Sequence, residues 1–365
     1  MRHASTGSDR RGLGASATSA GVALAVLLSV LPVAAQTAAR PSFPRPEKLT
    51  IAYLPVIFHA QLFGAQEKGW LDELGVPKVE LMRFTSGIPL LQAIAAGQID
   101  VAFDGIGPVI IAGHRGLPVK SVAATSRDAM VFVTSDLFAQ TYAAHQPPAA
   151  AFAAFAKQAG RKLRIGSPPR GATPDVFLRM WLASIGVDTE RDVTLIPMGG
   201  DQLVAAMAAG QVDSVVYGEP QVTLLQRADP KFKVLLYGKD LVPGLPGGTV
   251  MVQQRLIDQY PAMMEKLVEI HLRANKLLNT DRDFFARTAS KALGEKFLPL
   301  DVAQQAVRSP ATHLVTNLRA MTATLATYDA FEVKQGVWPA PLRIEDVLDL
   351  RFYDAVLKRH PELAD

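Results

Sequence analysis

Two acids in this chain, Asp104 and Glu219, each stand at or just past the end of a short apolar run. A carboxylate there can accept hydrogen bonds from an amine or amide of a small molecule. It can equally pair with a cation such as Arg127. Ser86 and Gly87 open one helical stretch, and Gly171 and Thr173 open another. Thr173 is the expected N-cap, with Pro174 at the first helical position. Helix N-termini present free backbone N–H groups and favour anions or polar acceptors. Arg170, just ahead of the second, could add a charged clamp. The same residues could also do no more than cap their helices. Phe58, His59 and Tyr217 offer ring faces for stacking, although a lone histidine is often structural.

These residues suit binding better than catalysis. The sequence has no His-Glu-x-x-His, no Gly-x-Ser-x-Gly and no Walker glycine loop. Gly105-Ile106-Gly107 follows an apolar run, but Ile110 stands at the third glycine position of a dinucleotide fingerprint and Pro108 interrupts it. The seven histidines form no set at metal-ligand spacing. No catalytic residue, metal or cofactor is expected.

The elements that must position these side chains are written twice. Residues 90–105 read LLQAIAAGQIDVAFDG and residues 203–218 read LVAAMAAGQVDSVVYG, with 8 of 16 positions identical. Their spacing is far too long for a solenoid or propeller, whose repeats run roughly 20–50 residues. Each copy reads as an amphipathic helix, a glycine stop at Gly97 or Gly210, then a short apolar strand. Looser matches upstream pair residues 49–55 with 163–169, 69–76 with 180–187, and 79–84 with 193–198. Each half therefore reads β-α-β-α-β, an open, mostly parallel sheet flanked by helices. Ligands of such sheets sit beyond the carboxyl ends of the strands. That rule names the loops 55–60, 85–89 and 104–108 in one half, and 168–175, 198–202 and 217–221 in the other.

Bulk properties narrow the class. The 365 residues suffice for two domains. Residues 1–38 read as a secretory signal: Arg2, Arg10 and Arg11, a short apolar core over 20–33, then small residues. That core is short of the ~20 residues of a membrane span. Asp9-Arg10-Arg11 weakly resembles a twin-arginine signal, so the export route stays open. Removing residues 1–35 takes three of 38 basic and one of 34 acidic groups, leaving a net charge near +2. Such a balance argues against a nucleic-acid partner. There is no cysteine, which excludes disulfides, thiol catalysis, iron–sulfur clusters and a lipidated cysteine anchor.

Residues 51–55 with His59-Ala60, the run Ala65-x-Glu67-Lys68-Gly69-Trp70 and the Ala-Gly-Gln-x-Asp segments resemble a known group. So do Gly116-Leu117-Pro118-Val119, Gly218-Glu219-Pro220, and residues 250–252 followed by Tyr260-Pro261. The group is the periplasmic substrate-binding proteins for aliphatic sulfonates, nitrate, taurine and thiamine-pyrimidine precursors. The resemblance covers about residues 45–335. It implies an α/β, two-lobed, type II periplasmic binding-protein fold. Lobe one is expected from 41–131 with 246–365, lobe two from 132–245, with crossings at 130–135 and 249–253. It implies a monomeric periplasmic receptor that closes on a small-molecule ligand and delivers it to an ABC permease in the inner membrane. A sensor feeding a signalling partner is one alternative. An enzyme like the pyrimidine-precursor synthases is another, disfavoured by the signal and the missing cysteines. An oxyanion would suit the helix N-termini and Arg170; a heteroaromatic or amine would suit the rings and the two acids.

Overall fold

The computed structural model describes residues 43–365. The expected signal segment lies outside the described residues. Both sheets belong to one unit, Arg40–Asp365.

The first duplicated half supplies β1 (Lys48–Tyr53), β2 (Lys78–Arg83) and β3 (Val101–Asp104), which pair in parallel as β2-β1-β3. β4 (Val119–Arg127) then leads out of this lobe, and β5 (Val131–Thr134) enters the other. There β6 (Leu163–Ser167), β7 (Val193–Pro197) and β8 (Ser214–Tyr217) repeat the parallel arrangement as β7-β6-β8. β9 (Lys233–Tyr237) closes the second sheet, in the order β7-β6-β8-β5-β9. β10 (Pro246–Gln253) returns to the first, where β11 (His313–Leu314) adds an edge, in the order β11-β4-β10-β3-β1-β2. The parallel part of each sheet is thus the duplicated unit. Each crossing adds an antiparallel strand beside its third strand: β5 on β8, β10 on β3.

Of the stretches expected for the crossings, Met130 directly precedes β5, and most of the rest lies in β5 and β10. Residues 130–135 and 249–253 are extended and apolar because most of each lies in a buried strand. The chain passes between lobes at 128–130 and again between β9 and β10. There Asp128 takes a left-handed conformation at φ 54°. Its N–H donates to the Leu245 carbonyl (2.9 Å), and its Oδ1 accepts from Gly244 N–H (2.7 Å). The two crossings are therefore tied to each other at the hinge.

The duplicated residues hold the two scaffolds in the same way. Gly97 and Gly210 end their helices at φ 73° and 66°, a conformation glycine adopts without a Cβ penalty. Asp100 accepts the Thr50 N–H through its side chain (2.7 Å) and donates its own N–H to Thr50 O (3.0 Å). Asp213 does the same with Arg164, at 3.0 and 2.8 Å. Each repeated aspartate thus bridges the start of its third strand to the first. Arg255 pairs with Asp100, and Arg161 and Arg164 with Asp213. After β10, the helix Pro261–Thr280 packs on the helix Ala60–Glu67, and the helix Thr322–Lys334 reaches the second lobe's helix Thr173–Ser184.

Candidate functional site

The carboxyl ends of both parallel triplets converge on one cavity of about 30 Å³. A single water needs ~10–15 Å³ on the same measure, so the space is tight. Leu54, Phe58, Asp104 and Pro108 wall it from the first lobe, Pro168, Thr173 and Tyr217 from the second. Met130 and Gly247 line it from the two crossings.

The lobes are in contact around this cavity. Gly107 N–H donates to Thr173 Oγ1 (3.0 Å), and Ile57 N–H to the Glu219 carbonyl (3.3 Å). Arg83 pairs with Asp201 at 3.0 Å, and Arg227 with Asp301. The packing demands glycine at Gly107. A Cβ there would overlap the Gly171 carbonyl of the other lobe and crowd the Tyr328 hydroxyl.

Asp104 ends β3 and is fully buried. Its Oδ1 accepts Gly105 N–H at 2.7 Å, while Oδ2 is buried and has no partner. Burial pushes its carboxyl up to about 7, against the opposing pull of the Gly105 hydrogen bond. The carboxylate stands against Gly87, the first residue of the helix Gly87–Ala95; a Cβ on Gly87 would overlap it. The second lobe repeats this geometry with different chemistry. Tyr217 ends β8, and its hydroxyl stands against Gly200, the first residue of the helix Gly200–Ala208. Burial raises the Tyr217 hydroxyl well above its ordinary range.

Of the residues singled out in the sequence, Phe58, Ser86, Gly87, Asp104, Thr173 and Tyr217 line this cavity. Ser86 is the N-cap residue of its helix, yet its side chain makes no capping hydrogen bond. Thr173 is the first residue of its helix and Ala172 the N-cap, one position earlier than expected. Its hydroxyl is turned to Gly107 in the opposite lobe.

The other five lie elsewhere. His59 is fully buried behind the wall, and its Nδ1 accepts Leu54 N–H (3.4 Å). Burial pushes its imidazole down to about 3, so it is neutral. Gly171 carries its loop through a φ of 88°. Arg170 borders a separate cleft with Asp175, Arg179 and Glu332. Arg127 is exposed, 3.9 Å from Asp128, beside Asn279 and Asp365. Glu219 accepts Thr223 N–H at 3.0 Å and borders a third cleft with Arg227 and Ser309. Burial raises its carboxyl above the usual range.

The strand-end rule named Pro168 within the loop 168–175, and it stopped one residue short of Leu54, which follows β1 directly. The strand-end rule did not point to Met130, which directly precedes β5, or to Gly247, the second residue of β10. Among the described residues no group of three or more histidines or acids could hold a metal ion. No described helix is long and apolar enough to cross a membrane.

Two hinged α/β lobes meeting over a cavity at their strand ends define the two-lobed periplasmic binding-protein fold. The crystal structure of the periplasmic nitrate-binding protein NrtA from Synechocystis PCC 6803 has this fold. It superposes with a TM-score of 0.74 over 87% of this chain and 90% of that one, at 17% identity. The alkanesulfonate-binding protein SsuA from Xanthomonas axonopodis pv. citri, bound to MOPS, gives 0.68 over 84% and 99%, at 20% identity. The chain belongs to the NMT1-like family, whose pattern it matches over residues 42–294. It is also 27% identical over 237 residues to the nitrate import ATP-binding protein NrtC of Synechococcus elongatus. That match covers 64% of this chain but only 35% of NrtC.

Proposed function

We propose that this chain is the extracytoplasmic solute-binding component of an ABC importer. It captures a small organic solute between its lobes and presents the closed form to a permease in the inner membrane. Binding itself is the function, and no reaction is assigned to the site. The observation that carries this reading is the cavity shared by the two lobes, with a tied hinge on one side. A ligand held by both lobes has more contacts in the closed form than in the open one. That difference is what shifts an open–closed equilibrium; periplasmic binding proteins are a stock example of such hinge closure. The family and the solved relatives support it, since NrtA and SsuA are named for the solutes they bind.

With this reading go a cleaved signal over 1–38, a periplasmic location and a monomeric state. Lobe one runs over 41–131 with 246–365, lobe two over 132–245. The test is to label one site in each lobe and follow their separation by spin-label or fluorescence distance measurement while solutes are added. The proposal expects a ligand-dependent shortening. It also expects ligand-dependent stimulation of ATP hydrolysis by the cognate transporter in proteoliposomes. Stimulation of a sensor kinase, with no effect on a transporter, would replace the importer by a signalling receptor.

A further inference from the structure

We propose that the cavity selects a compact nitrogen-bearing solute, neutral or cationic, that donates an N–H to Asp104 Oδ2, and that it rejects oxyanions. This rests on reading the cavity as the solute site, and it departs from the nitrate and alkanesulfonate for which NrtA and SsuA are named.

The charge inventory comes first. Among the described residues no lysine or arginine lines the cavity, and Asp104 is its one carboxylate. Arg170, the expected clamp, belongs to the cleft with Asp175 and Glu332. Arg83 is engaged by Asp201. An anion entering here would meet a carboxyl group and no compensating cation, and burying an unpaired charge is costly.

The helix N-termini come second. Each could hold an anion in principle, but a protein group already stands close to each. Asp104 stands in front of Gly87, and the Tyr217 hydroxyl in front of Gly200. At the third, Thr173 Oγ1 is taken by Gly107 N–H.

What is left unsatisfied points the other way. Asp104 Oδ2 is a buried acceptor without a donor, and buried polar groups ordinarily have partners. A ligand N–H supplies the missing one. The walls beside it are carbon: Leu54, Phe58, Pro108, Met130 and Pro168. They suit a flat or apolar body carrying that N–H, as small-molecule sites usually combine an apolar wall with a few placed polar groups.

The experiment is a calorimetric titration of the intact protein with two panels. One holds urea, acetamidine, imidazole and 2-aminopyridine; the other holds nitrate, bicarbonate and ethanesulfonate. Wild-type protein is expected to bind at least one nitrogen compound tenfold or more tighter than any oxyanion. Asp104→Asn keeps the acceptor for Gly105 N–H and places an NH₂ where Oδ2 stood. It should weaken the nitrogen compound at least tenfold and narrow the gap to the oxyanions. Tighter binding of an oxyanion by wild type overturns the ligand class but leaves the importer reading standing. Unchanged affinity of Asp104→Asn for the nitrogen compound overturns the role of Asp104. No binding from either panel overturns the ligand class and counts against the importer reading too.

Discussion

Asp104 and Gly87 are in contact, carboxylate against the first residue of a helix, and 113 positions further on Tyr217 and Gly200 make the same contact with a phenol. The duplication thus preserves a position and changes what occupies it. In one lobe a titratable acid faces the cavity, in the other a neutral ring. On the proposal above, discrimination lies in the acid, whose carboxyl alone of the two titrates near neutral pH.

That acid makes stability depend on pH in a definite direction. Burial holds the Asp104 carboxyl at about 7 in the folded protein, against ~3.9 for an unperturbed aspartate. Between those values the folded state binds more protons than the unfolded, so stability falls as pH rises from about 4 to about 7 and then levels. The groups that face it are the Tyr217 phenol and the backbone of Gly87 and Gly105, and none supplies a positive charge. Asp104→Asn removes the titration. Its midpoint should exceed that of wild type at pH 8, by a few degrees on the order of 2–4 °C per kcal/mol, and match it at pH 4. Differential scanning calorimetry across pH reads this; a variant less stable at pH 8 than at pH 4, relative to wild type, would contradict it.

The repeated aspartate of the second lobe, Asp213, acts with the opposite sign. Burial alone would raise the Asp213 carboxyl, but hydrogen bonds from Arg161 and Arg164 outweigh it and hold it below the usual range. Its contribution is present above the unfolded pKa and is lost as pH falls through the folded one. Asp213→Asn should lower stability at pH 7 by ~1–2 kcal/mol, since Asp213 is buried but the Arg161 and Arg164 side chains are 41% and 27% exposed and solvent screens the pairs. The penalty should shrink toward pH 3. Urea unfolding at the two pH values checks it, and an equal penalty at both would assign the loss to packing instead.

This division explains what could be read from the chain beforehand. The Gly-Gln-x-Asp signal was legible because it serves the backbone: Gly97 and Gly210 need a positive φ, and Asp100 and Asp213 bridge strands. Such demands leave the same residue types in both copies. Strand ends located Asp104 and Tyr217 for the same reason. Spacing does not say which way a loop turns afterward. Two residues past β8, Glu219 already faces the start of the next helix, and Arg170 faces the C-terminal helix Thr322–Lys334. The stretches expected as crossings lie largely in β5 and β10, because apolar extended runs report burial in a sheet. The residues between the strands carry turn chemistry instead, with positive φ at Asp128 and Gly244.

At the hinge, Asp128 holds a left-handed conformation that aspartate and asparagine tolerate better than alanine does. Its side chain also accepts the Gly244 N–H that ties the crossings together. Asp128→Asn should keep both features, whereas Asp128→Ala should lose both and cost ~1–3 kcal/mol. Hydrogen exchange at Gly244 should accelerate in the alanine variant alone. Equal exchange in the two variants would show that the tie does not depend on this side chain.

Closure turns on Gly107. Its N–H meets Thr173 Oγ1 of the other lobe, and a Cβ would strike the Gly171 carbonyl. Within its own lobe the added carbon would meet mainly the Tyr328 hydroxyl, the end of a side chain that can move. Gly107→Ala should therefore fold normally, with wild-type circular dichroism, yet fail to bring the lobes together. Thr173→Val removes the acceptor without adding bulk in the other lobe, leaving a buried N–H unpaired at a cost of ~1–3 kcal/mol in the closed form only. Small-angle scattering should give both variants a larger radius of gyration than wild type, with the alanine variant the more open. Ligand should recover the compact form in Thr173→Val and not in Gly107→Ala. If saturating ligand closes both equally, the contact at Gly107 does not control the hinge.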